Sequence, residues 1–170
     1  MKVKFKRLHK DAVIPFKKHG ADFCYDCVAV SEEEVAPNVW RYGLGFALQI
    51  ERSPEPMVVS TSCHGGKVAD HCTMMDFSRS PLNLSIDARP RSSVWKTGMM
   101  LSNCEGTIDE NYTGEISAVF YHILPDMPRY RVGDRIVQIK IGVTIPMEFE
   151  EVAELNETDR GGNGYGSTGK

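Results

Sequence analysis

The chain has 170 residues, 41% of them hydrophobic and 25% charged, which is enough for one cored domain and too short for two. Its formal net charge of −3 argues against a dedicated nucleic-acid binder, whose phosphate contacts need a broad surplus of Lys and Arg, but not against a small anionic ligand held by a few local cations. No stretch approaches 18 apolar residues and the basic first ten residues lack the apolar run of an export signal, so no membrane contact is expected. A cytoplasmic protein is expected instead, in the host cytoplasm if phage-encoded, with its five cysteines reduced.

Residues 2–6 alternate Lys with Val3 and Phe5, the period of a strand with one wet face. The same alternation recurs over 46–51, 115–122 and 134–141, with turn signals at 36–38 (Ala-Pro-Asn), 124–126 (Leu-Pro-Asp) and 132–134 (Val-Gly-Asp). Residues 51–84 are broken by Pro54, Pro56, Gly65, Gly66 and Pro81, and read as an irregular zone. One short helix is predicted over 91–97, where a serine is placed to cap the first turn. Residues 156–170 are rich in Gly, Asn, Ser and Thr and cannot pack a core, so a mobile tail is expected there. Many short strands without a long 3.6-residue period predict an all-β barrel or sandwich with at most one short helix. The domain spans 1–155, with the tail following it.

Five short runs punctuate this pattern: GADFC at 20–24, RPRSS at 89–93, NCEGTIDENYTGE at 103–115, GDRIVQ at 133–138 and RGGNGYGSTG at 160–169. In order and spacing they resemble the five motifs of the trimeric dUTPase family. The resemblance implies a β-clip, a distorted jelly-roll-like barrel. It also implies a homotrimer with active sites shared between subunits, and the hydrolysis of dUTP to dUMP and pyrophosphate by Mg²⁺-assisted attack of water on the α-phosphate.

Roles follow from the resemblance residue by residue. Asp109 matches the carboxylate that orients and deprotonates the attacking water, since such a displacement is largely positioning and charge stabilisation; by turn preference alone Asp109, Glu110 and Asn111 would be an ordinary acidic turn. Tyr112 matches the ring that lies against the deoxyribose and leaves no room for a 2′-hydroxyl. Asn103 and the backbone of Gly106, Thr107 and Ile108 would read the uracil edge. Arg91, Ser92 and Ser93 would meet the phosphates, Ser93 standing where the family usually has Gly. Asp22 and Gln138 would hold Mg²⁺ through its waters, and the strand period itself places Gln138 on the face opposite Val137, Ile139 and Ile141. In the tail, which would close as a lid, Arg160 would meet the γ-phosphate and Tyr165 would stack on uracil, with Gly166, Ser167 and Thr168 contacting ligand. Asn163 replaces a frequent Gly and tolerates a positive φ.

Some features stand outside the pattern. Residues 52–82 read as an insertion containing Cys63, His64, His71 and Cys72; adjacent Cys-His pairs face opposite sides of a strand, so a surface hairpin is preferred to a zinc site. Cys24 and Cys27 have CxxC spacing without the helix of a redox motif and read as packing. The GYGSTGK ending at 164–170 mimics a phosphate-binding loop but has no helix after it. A dCTP deaminase of the same fold is the enzymatic alternative, supported by the Arg91-Ser92-Ser93 run. It is opposed by Val119, which stands where such enzymes carry a catalytic Glu. A phage-type regulatory role, with 52–82 touching a protein partner, is the alternative from another class.

Overall fold

The computed structural model describes residues 1–52, 57–58, 74–75 and 82–162. These residues form twelve strands and one 3-10 turn: β1 (Lys2–Arg7), β2 (Tyr25–Val28), β3 (Ser31–Ala36), β4 (Val39–Gly43), β5 (Phe46–Glu51), β6 (Met57–Val58), β7 (Met74–Met75), β8 (Asn83–Pro90), the turn Ser92–Lys96, β9 (Met99–Leu101), β10 (Gly106–Asp109), β11 (Ser117–His122) and β12 (Arg135–Thr144). The all-β prediction holds, and no described helix is long and apolar enough to cross a membrane. The four alternating runs correspond to β1, β5, β11 and β12. The turn signals are used as such. Pro37 and Asn38, the latter at φ 61, join β3 to β4, and Gly133, at φ 93, lies in the turn that leads into β12.

There are two four-stranded antiparallel sheets, ordered β10-β8-β12-β2 and β3-β4-β11-β9, and two further antiparallel pairs, β1-β5 and β6-β7. Among the described residues the sheets do not close into a complete barrel, in keeping with a distorted one. Tyr42, Leu44, Phe46, Phe120, Ile136 and Val137 are fully buried, and the rings of Tyr42, Phe120 and Tyr130 meet edge to face. In the first sheet, residues in register share a face. The rows Tyr25-Ile139-Ala88-Gly106 and Ile141-Ile86-Ile108 form an apolar face, while Asp26-Gln138-Arg89 and Lys140-Asp87-Thr107 form a polar one. Gln138 therefore sits opposite Val137 and Ile139, as the period predicts. A register shift between Arg135 and Val137 breaks the alternation, so Ile136 and Val137 are both buried.

One local expectation is corrected. The predicted helix is a 3-10 turn, and its N-cap is Arg91, in extended conformation at φ −73, ψ 153, without a side-chain cap bond. The serines are the first two residues inside the turn, one step too late to cap it. Cys27 is 1% exposed, and burial pushes its thiol pKa far up, as suits an inert packing residue. Cys63, His64, His71 and Cys72 lie outside the described residues.

Candidate active site

The predicted residues gather in two places. The first is a cavity of about 280 Å³ lined by Asn103, Gly106, Thr107, Ile108, Asp109 and Tyr112, with Ala88, Leu101, Ile116 and Ala118 at its apolar base. Strand β10 lies at the edge of its sheet, paired only to β8, so the backbone groups along its outer side are not taken by another described strand. An edge strand is suited to hydrogen-bonding a flat polar ring by main-chain groups.

Beyond β10 the chain turns sharply. Tyr112 N–H donates to the Asp109 carbonyl at 3.0 Å, and the Tyr112 hydroxyl donates to the Glu115 carbonyl at 3.0 Å. A Cβ on Gly114 would lie 2.5 Å from the Tyr112 hydroxyl oxygen, so the ring rests directly on the glycine. Glu110, beside Asp109, accepts from Arg52 Nε at 2.7 Å and Nη2 at 2.6 Å. That paired bond holds the Glu110 carboxyl below the usual carboxylate range and ties the Asp109 corner to the end of β5. Neither Arg52 nor Glu110 was legible as a site residue, because their contact spans 58 positions of sequence. Val119 lines this same cavity. A carboxylate at that position would have reached the ligand space; valine offers no proton acceptor.

The second place is a cleft of about 520 Å³ that brings together Asp22, Arg91, Ser92 and Gln138. The same cleft is lined by Lys17, Lys18, His19 and Arg135, with Asp22 and Asp26 as its carboxylates, so its balance is cationic. Asp22 is locked in a turn, its Oδ2 accepting from His19 N–H at 2.9 Å and its own N–H donating to the His19 carbonyl at 3.0 Å. Gln138 Nε2 donates to the Pro90 carbonyl at 3.1 Å. Arg91 Nε donates to Asp26 Oδ1 at 2.8 Å, and Arg135 Nη1 donates to Asp26 Oδ2 at 2.9 Å. Ser93 is not a lining residue; its hydroxyl lies 3.5 Å from Arg91 Nη1. Among the described residues no group of three or more His, Cys, Asp or Glu is arranged to hold a metal directly.

Among the described residues, none lines both places. The row from Gly106 through Ala88 and Ile139 to Tyr25 crosses three inter-strand steps, so the two edges of the sheet are about 14 Å apart. Within one chain Asp109 and Arg91 therefore belong to different clefts. Arg160 is exposed, in a turn closed by Gly161 N–H donating to the Thr158 carbonyl at 3.0 Å. Asn163, Tyr165, Gly166, Ser167 and Thr168 lie outside the described residues.

A family model described as dUTPase matches residues 67–169, more than half of the chain and four of the five runs that carried the resemblance. The chain belongs to the dUTPase family. The deoxyuridine 5'-triphosphate nucleotidohydrolase of Clostridium novyi is 30% identical over 171 residues, covering 99% of both chains. That of Corynebacterium glutamicum is 31% identical over 171 residues, covering 99% of this chain and 95% of its own. Among solved structures, the Staphylococcus bacteriophage 80alpha dUTPase with dUPNHPP superposes with a TM-score of 0.69 at 19% identity, over 99% of each chain. At that identity the superposition speaks for the dUTPase fold. The near-complete alignment to the Clostridium dUTPase shows that the two chains are of similar overall length.

Proposed function

We propose that the chain is a dUTP diphosphatase, releasing dUMP and pyrophosphate. The observation that carries this is the first cavity: within a dUTPase-family chain, an edge strand's backbone at 106–108, Asn103, the Tyr112 ring and the Asp109 carboxylate line one space of nucleoside dimensions. In this reading Asn103 and the backbone pair with the uracil edge, and a base with the wrong donor pattern leaves buried polar groups unsatisfied. Tyr112, resting on Gly114, occupies the space a 2′-hydroxyl would need. Asp109 accepts a proton from water as its oxygen bonds to the α-phosphorus; the bond to the α,β-bridging oxygen breaks and its electron pair leaves with pyrophosphate. Val119 in the cavity disfavours deamination, which needs an acid or base beside the ring.

The second cleft takes the phosphate chain in this reading, with Arg91, the Ser92 hydroxyl and the unbonded first N–H groups of the 3-10 turn as donors, and Ser93 acting through Arg91. The residues fit Mg²⁺ held mainly by phosphate oxygens. Asp22 and Gln138 would accept from its waters, since no direct ligand cluster is present among the described residues. Bound there, the ion would neutralise charge developing on the leaving group.

The two clefts lie at opposite edges of a sheet, which fits the homotrimer that the dUTPase resemblance implies: in this reading the nucleoside cavity of one subunit faces the phosphate cleft of another, and the tail with Arg160 and Tyr165 closes over both. The exposed Ile145, Met147, Phe149 and Leu155 support this reading, being apolar side chains that the other described residues leave uncovered.

A pyrophosphate-release assay with dUTP, dCTP, dTTP and UTP, with and without Mg²⁺, tests the proposal. Hydrolysis confined to dUTP and dependent on Mg²⁺ is expected; ammonia from dCTP would overturn it. Asp109→Asn should abolish turnover and keep dUTP binding, and a variant near the wild-type rate would remove Asp109 from its role.

A further inference from the structure

We infer that Asp26 is a positioning residue which clamps Arg91 and Arg135 together as a two-guanidinium cradle for the phosphate chain; this rests on the phosphate cleft proposed above. Each carboxylate oxygen takes one arginine, Oδ1 at 2.8 Å and Oδ2 at 2.9 Å. Their exposures form a gradient. The Asp26 side chain is 14% exposed, Arg91 24% and Arg135 37%, so the carboxylate sits deepest and the cations stand towards the opening.

The base of the clamp is rigid. Asp26 N–H donates to the Phe16 carbonyl at 2.8 Å, Phe16 N–H donates to the Asp26 carbonyl at 3.2 Å, and Asp26 stands in register with Gln138. Two like charges bound to one carboxylate repel each other, and the shared anion offsets that repulsion. A guanidinium has five N–H donors, and the bonds to Asp26 use one nitrogen of each arginine, which leaves donors to converge on phosphate oxygens. All three residues line the same cleft, and no other described carboxylate is bonded to either arginine.

Asp26→Asn separates positioning from mere support. An amide accepts with its oxygen only, and its NH₂ then faces the second guanidinium donor to donor, so one arm of the cradle is released. In the full-length protein, calorimetric affinity for inorganic pyrophosphate and for a non-hydrolysable dUTP analogue should fall about tenfold or more, the scale of a charge-assisted hydrogen bond. The KM for dUTP should rise in parallel. Inhibition by deoxyuridine, which carries no phosphate, should stay within about twofold of wild type, as its contacts are in the other cavity. Arg135→Ala should weaken pyrophosphate in the same way, and Asp26→Asn combined with Arg135→Ala should cost less than the product of the single losses.

The inference is overturned if pyrophosphate and analogue affinities hold or rise in Asp26→Asn, whatever happens to the melting temperature. It is also overturned if the two substitutions act independently, or if wild type binds no pyrophosphate. Failure to hydrolyse dUTP with pyrophosphate binding intact and Asp26-dependent would instead count against the diphosphatase reading and leave the cradle standing.

Discussion

At the scale of single residues, Gly114 matters through what rests on it. The Tyr112 ring lies where a Cβ would project, 2.5 and 2.6 Å from its hydroxyl oxygen and Cζ. The ring is half exposed and its hydroxyl is held by one exposed hydrogen bond to the Glu115 carbonyl, so it can swing aside at small cost and Gly114→Ala should leave the melting temperature within about 2 °C of wild type. Its expected cost is in recognition: with the ring displaced, discrimination of dUTP over UTP in kcat/KM should drop about tenfold. Unchanged discrimination would show that Tyr112 does not set it. Asp109 is placed differently, by the end of a paired strand and by the Arg52 grip on its neighbour Glu110. Arg52→Met should accordingly lower kcat at least several-fold while leaving a folded protein, because the pair is exposed enough to contribute only about 1 kcal/mol to stability.

Among the elements, β8 and β12 form the spine of the site, and a polar cluster binds them. Lys140 Nζ donates to Asp87 Oδ2 at 2.5 Å, and Ser85 donates to Asp87 Oδ1 at 2.7 Å. Gly142 leaves the space for them, since a Cβ there would come within 2.4 Å of both Asp87 Oδ2 and Ser85 Oγ. Burial opposes ionisation of Asp87, but the hydrogen bonds from Lys140 and Ser85 outweigh it and leave the carboxyl below its usual range. Lys140→Met would strand that carboxylate, at a cost of about 3 kcal/mol measurable in urea.

The same bonds set the response to acid. Glu32, bonded to Arg129, and Glu110, bonded to Arg52, are also held below the usual range. A carboxyl with a depressed folded pKa contributes stability that is fully present above its unfolded value near 4 and is lost as pH falls through the folded value. Stability should therefore be flat with respect to these groups above about pH 5 and decline below pH 4. Lys140→Met should flatten that decline. An equally steep decline in the variant would show that Asp87 is not a contributor.

For the whole molecule, the decisive observation is that the proposed nucleoside cavity and the proposed phosphate cleft share no described residue, so in this reading one chain carries two half-sites. Two inactive variants, Asp109→Asn in the nucleoside cavity and Arg91→Ala in the phosphate cleft, should complement when co-refolded as mixed trimers. Random assembly at equal amounts gives about a quarter of the sites with both halves intact, so activity should return to about a quarter of wild type. A mixture that stays inactive after confirmed subunit exchange would place each complete site within one subunit. Truncation after Asp159 should leave a folded trimer with little activity, measured by sedimentation and by pyrophosphate release.

By itself the sequence determined the all-β class, the strands β1, β5, β11 and β12, the turns around Asn38 and Gly133, and the family through its five runs. These are local signals: alternation, turn chemistry and motif spacing are written in neighbouring residues. It also placed Gln138 on the polar face, since a strand's period does that without help from its partners. Only the tertiary structure decided that Ile136 and Val137 are both buried, because a register shift between paired strands is invisible in either one. It alone put Arg91 in the N-cap position, joined Arg52 to Glu110, and drew Asp26 beneath Arg91 and Arg135 across 65 and 109 positions. It alone separated the residues proposed to read the base from those proposed to bind phosphate, because strand order in a sheet, not order in the chain, sets how far apart two motifs stand.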